Sequence, residues 1–94
     1  IKHISDYQMD IKDYLDLLAI WYRDVLLFKA THSFDNMVFK DQYIYIQKIA
    51  DRSSYEQIEA ILDSFQTARQ RLDANVNFEL VMELVFLTIR ENGG

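Results

Sequence analysis

The chain has 94 residues, half of them apolar and 14% aromatic, with a formal net charge of −5. That length suits a single domain over residues 1–94, and that composition excludes a disordered chain, which needs low hydrophobicity and high net charge. The lack of cysteine excludes a disulfide framework or thiolate metal site, and the acidic balance argues against non-specific DNA binding, which needs a positive face to release phosphate counterions.

The basic residues Lys40, Lys48, Arg52, Arg69 and Arg71 lie among acids and read as a solvated mixed-charge face. The longest uncharged runs, Leu17–Tyr22 among them, are six residues, whereas a membrane-spanning helix needs roughly 18. No basic stretch followed by an apolar one opens the chain as a signal peptide would. The first residue is Ile1, so we expect an excised piece of a longer, cytoplasmic protein. A domain this small buries about 60–65% of its unfolded surface, and a partner chain would add to a thin stability margin.

The first helix is expected from about Asp6 to Ala30, with Ser5 or Asp6 as its cap. Tyr7, Ile11, Tyr14, Leu18, Tyr22 and Val25 recur at spacings of three and four, which forms one stripe. Leu17, Ile20, Trp21, Leu26, Leu27 and Phe28 widen that stripe until almost the whole circumference is apolar. Such a helix is buried on more than one side, and its surplus points to contact with another chain. Asp6, Asp10 and Asp13 share a face, which reads as solvated negative charge early in a helix.

Residues 31–40 read as a loop, with His32, Ser33, Asp35 and Asn36 as turn formers. Tyr43-Ile44-Tyr45-Ile46 alternates like a strand, but Phe39, Tyr43, Ile46 and Ala50 keep helical spacing, so we expect a helix from Asp41 to Asp51. Ser53 and Ser54 each precede a Glu or Gln by three residues (Glu56 and Gln57), and both pairs fit a capping box. The helix that follows should run to about Asp73, with Tyr55, Ile58, Leu62, Phe65 and Leu72 inward. Asn75-Val76-Asn77 breaks the pattern, and either Asn can start a last helix over Phe78–Glu91, which Gly93 suits as a stop. Val81, Met82, Leu84, Val85, Phe86, Leu87 and Ile89 leave that helix little polar face, so it should be central. The expectation is an all-α fold, a compact bundle of four to five helices.

Little in this inventory supports chemistry. His3 and His32 are the only histidines, and no Glu-x-x-His motif accompanies them. Ser5, Ser33, Ser53 and Ser54 sit at expected caps or turns, and Ser64 has no histidine at helical reach. No glycine precedes Gly93, so a phosphate-cradling loop is excluded. We therefore expect no cofactor, metal or catalytic residue. Arg23 and Asp24 interrupt an apolar stretch and point about 100° apart, so each needs water or a partner elsewhere. One reading ties them to the loop around Asn75 and Asn77; the other puts them across an interface between chains. Trp21 and Tyr22 suit an interface by residue type, but core packing is the stronger expectation for an aromatic on a helix.

Trp21-Tyr22-Arg23-Asp24-Val25-Leu26-Leu27-Phe28-Lys29 resembles the Trp-Tyr-Arg-Asp-Leu-Leu helix of the delta-prime family of bacterial DNA polymerase III subunits. Leu72-Asp73-Ala74-Asn75-Val76-Asn77, followed by Leu80, Glu83 and Leu84, resembles that family's Leu-x-x-Asn-x-Asn signature and final helix. Order and separation also fit, and the resemblance covers roughly Tyr14 to Arg90. It implies the C-terminal collar domain of a clamp-loader protein, a fold the gamma and tau subunits share. Such domains pack into a five-membered ring with other clamp-loader subunits, while ATP chemistry lies elsewhere in the assembly. The implied partners are proteins, with no direct nucleic-acid contact and no membrane, and Trp21, Leu27 and Phe28 would dock on neighbours. A helical adaptor that binds an amphipathic peptide is the alternative. A small helical enzyme is a third class, which a pocket of convergent polar groups would favour.

Overall fold

Caps and turn chemistry divide the chain where the apolar periodicity changes register. The computed structural model describes residues 8–93, with side chains from Lys12 onward. It contains α1 (Gln8–Thr31), a single 3-10 turn (Lys40–Gln42), α2 (Tyr43–Arg52), α3 (Tyr55–Asp73) and α4 (Phe78–Asn92), with no strand among the described residues. The expected start at Asp6 and its cap at Ser5 or Asp6 lie outside the described residues.

Each boundary has a local cause. His32 takes a left-handed conformation (φ 55°) and its N–H donates to Phe28 O at 2.7 Å, closing α1. Ser54 caps α3: its hydroxyl accepts from Gln57 N–H at 3.1 Å, and the Gln57 side chain accepts from Ser54 N–H at 2.9 Å. Of the two capping boxes legible in the sequence, only this one forms. The hydroxyl of Ser53 is instead buried without a partner.

The two asparagines of the Asn-x-Asn turn divide the work. Asn75 (φ 62°) ends α3, with Asn75 N–H donating to Leu72 O and Val76 N–H to Arg71 O. That pair of bonds is a Schellman closure, which asparagine tolerates at the left-handed position. Asn77 begins α4 by accepting from Leu80 N–H at 3.1 Å.

The helices pack in a row, α2 against α1, α1 against α3 and α3 against α4. The 24-residue α1 is about 36 Å long at 1.5 Å per residue, which sets the long axis of a 40 × 24 × 20 Å molecule. α1 contributes Leu15, Tyr22, Val25 and Phe28 to the core, and α3 contributes Ile58, Ile61, Phe65, Ala68 and Leu72. The α3 spacing of three and four makes a continuous seam, wide enough to serve α1 on one flank and α4 on the other. Lys12–Asp73 and Asp16–Arg69 ion pairs fasten the antiparallel α1 and α3 at the far end from the loop. Both are solvent-exposed and add little stability. Lys12 holds the Asp73 carboxyl below its usual range.

Two expectations need correction. Tyr55 is not on the inner stripe of α3: it is exposed, its hydroxyl donating to Lys29 O at 3.2 Å. Nor is α4 central. It buries Val81 and Val85 against α3 but leaves Leu80, Phe86 and Leu87 exposed. The reason is geometric: α3 is the one principal neighbour of α4, so one stripe is covered.

Removing the Ser54 cap by Ser54→Ala should cost about 1 kcal/mol in urea unfolding. Ser53→Ala should be neutral or stabilising, because it deletes a buried hydroxyl that bonds nothing. Burial pushes the Tyr22 phenol above its ordinary value of 10.0, with Arg52 pulling the other way. A raised folded-state pKa contributes stability that is complete below the unfolded value and lost as pH rises through the folded one. Tyr22→Phe should therefore flatten the fall in thermal stability above about pH 10.

Candidate interaction surface

The sequence places an acid, Asp24, in the middle of an apolar helix, and the fold gives it a defined task. Asp24 is fully buried. Its carboxylate accepts from Phe39 N–H at 2.8 Å and from Val38 N–H at 3.0 Å. Neither Asn75 nor Asn77 is its partner, so the internal tie, one of the two readings, runs instead to the 32–39 loop. The cause is proximity: the loop turns back along α1 and brings two unpaired backbone N–H groups to the carboxylate. No cation is needed, since two N–H donors stabilise a carboxylate through charge-assisted bonds.

Aromatic contacts reinforce that return path. Phe34 stacks on Phe28 with centroids 4.6 Å apart, and Phe39 tilts against Trp21 at 5.6 Å. Met37 is buried beneath them. Phe28 and Tyr22 therefore belong to the core rather than to an outward docking face, and Trp21 is half-buried against Phe39. Tyr22 packs on Phe65 of α3 at 5.8 Å.

What remains outward on α1 is smaller than its composition suggests. Arg23, Leu26, Leu27 and Ala30, with Asn36 of the loop, line an open groove of about 410 Å³. Its walls are mostly aliphatic and its one charge is the Arg23 guanidinium. Arg23 is exposed and belongs to neither ion pair found among the described residues. Of the residues singled out in the sequence, the fold brings Arg23 and Leu27 together here. It sends Tyr22, Asp24 and Phe28 inward, and uses Asn75 and Asn77 for the turn before α4. Leu26, Ala30 and Asn36 were missed. Leu26, Leu27 and Ala30 do carry a signal, because they recur within two turns on the side of α1 away from Val25.

Exposed apolar side chains also occur on α2 (Tyr43, Ile44, Tyr45), at the start of α1 (Tyr14, Leu17) and on α4 (Leu80, Phe86, Leu87). Scattered singly they would be ordinary, but clusters on helix faces mark contact surfaces. Two further depressions lack the makings of a catalytic site. Between α3 and α4, the hydroxyls of Ser64 and Thr88 donate to the carbonyls of Ile61 and Leu84 of their own helices, at 2.6 and 2.9 Å. Near the start of α3, Arg52 and Arg90 lie beside Gln57, whose side-chain oxygen is engaged in the cap. Among the described residues no cluster of three metal-ligating side chains occurs, and no helix is long and apolar enough to cross a membrane.

Loss of the Asp24 tether should be visible as stability. Asp24→Ala, which orphans two buried N–H groups, should cost about 3 kcal/mol in urea unfolding. Asp24→Asn keeps one acceptor oxygen and should cost about half of that.

Comparison with known proteins supplies a family for this helical domain. The family described as "DNA polymerase III, delta subunit, C terminal" matches residues 4–91. Among curated proteins, the "DNA polymerase III subunit delta'" of Bacillus subtilis (strain 168) is 30% identical over 77 residues, covering 82% of this chain. The chain spans 23% of that relative's length. No solved structure matches the chain. With nearly its whole length matched, the chain belongs to the family formed by the C-terminal domains of DNA polymerase III delta subunits.

Proposed function

We propose that this domain is the collar, or subunit-assembly, domain of a DNA polymerase III clamp loader of the delta-prime type. It holds the ring of subunits that places the sliding clamp on DNA during replication. The observation that carries this reading is the apolar surface left over after folding, on a chain of that family. The outer face of α1 leaves Leu26 and Leu27 half-buried in an open groove, and α4 leaves Leu80, Phe86 and Leu87 exposed. Covering such clusters against neighbouring subunits drives association, at about 25 cal/mol per Å² of apolar area removed from water.

The domain contributes binding and geometry, and no reaction or cofactor of its own. Its partners are other loader subunits in the cytoplasm. Direct contact with nucleic acid is not expected, because the net charge is −5 and Lys12 and Arg69 are already paired with acids. The groove on α1 also keeps the second reading alive, a module that captures one amphipathic peptide helix.

Mixing the domain with the other loader subunits separates the two. The collar reading predicts co-elution in gel filtration and cross-links from α1 and α4. Leu80→Asp, at an exposed position of α4, should weaken that association at least about tenfold with an unchanged melting curve. No association with any of the loader subunits would remove the collar reading, and a partner made of one short helix would favour the peptide module.

A further inference from the structure

The groove on α1 and the outer face of α4 are complementary to each other. Leu80, Leu84 and Leu87 recur at i, i+4 and i+7, so they form one stripe along α4. Leu80 is 48% exposed and Leu87 40%, with Leu84 half-buried between them. Glu83 lies three residues after Leu80 and four before Leu87, which places its carboxylate beside the stripe. The α1 groove presents the matching features: an aliphatic floor from Leu26, Leu27 and Ala30, and a single cation, Arg23, without a partner among the described ion pairs. Within one copy the two surfaces cannot meet, since α3 stands between α1 and α4.

We infer that α4 of one copy seats in the α1 groove of a second copy, with Glu83 facing Arg23. The contact joins two different faces, so a bound pair still offers one free groove and one free α4. Association of this kind grows beyond a dimer unless its geometry closes. A stable interface covers about 800 Å² per partner, and one helix stripe in a shallow groove covers less, so the pairing is weak. It concerns this chain alone, so rejection of other loader subunits would sink the collar reading and leave this one standing.

Sedimentation velocity over a micromolar-to-millimolar series tests it. The sedimentation coefficient should rise with concentration, and less so in high salt, which screens the Arg23–Glu83 attraction. Arg23→Glu and Leu87→Glu should each weaken association at least about tenfold, with circular-dichroism melting curves unchanged because both positions are exposed. Mixed in equal amounts, those two variants should form a dimer and nothing larger, since only one intact α4 and one intact groove remain to pair. Arg23→Glu combined with Glu83→Arg in one chain should regain self-association. A wild-type chain that stays monomeric at millimolar concentration, or two variants that ignore each other when mixed, would overturn the proposal.

Discussion

A carboxylate without a cation organises half of this molecule. Asp24 sits in the wall of α1 with no solvent contact, and only the backbone N–H groups of Val38 and Phe39 answer it. An unpaired charge at that depth would be strongly destabilising, so the loop has little freedom to lie elsewhere. Once the loop is drawn back along α1, Phe34 stacks on Phe28, Phe39 tilts against Trp21, Met37 is covered, and α2 begins beside Phe34, whose ring meets that of Tyr43 at 5.1 Å. Lys29 then reaches the Ala50 carbonyl at the far end of α2 at 3.1 Å. The same loop supplies Asn36 to the rim of the groove, so the tether and the outer surface are parts of one arrangement.

The row of helices explains why so much apolar surface stays outside. In a closed bundle each helix meets two neighbours, and a broad apolar stripe is consumed between them. Here α2 and α4 are end members with one principal neighbour each. Their second faces keep Tyr43, Ile44 and Tyr45 on α2, and Leu80, Phe86 and Leu87 on α4. A small domain gains stability from partner surface.

Much of the helical framework is legible without coordinates because it rests on chemistry among near neighbours in the chain. A serine three residues before a glutamine, an asparagine that accepts a left-handed turn and another that caps a helix act within one or two turns. Local rules could not choose between Ser53 and Ser54, because both satisfy the same pattern. The fold decides it by burying the Ser53 hydroxyl and leaving Ser54 at the start of α3. The resemblance carried by the Trp21–Lys29 segment and the Asn-x-Asn turn marked the family, and Tyr22, Asp24, Val25, Phe28, Asn75 and Asn77 among those residues support the fold.

From residues alone followed the all-helical class, the last two helices nearly to both ends, the first at its C-terminal end, the second within two residues, and the family. Hydrogen bonds between residues three to six apart and the period of apolar side chains need no knowledge of what lies across the core. Only the tertiary structure decided that Asp24 turns to the 32–39 loop, that Phe28 and Tyr22 go inward, and that α4 is an outer helix. An apolar side chain is equally content against its own core or a neighbour's. Which of the two it meets depends on the order in which helix faces are paired, and that order is a property of the whole chain.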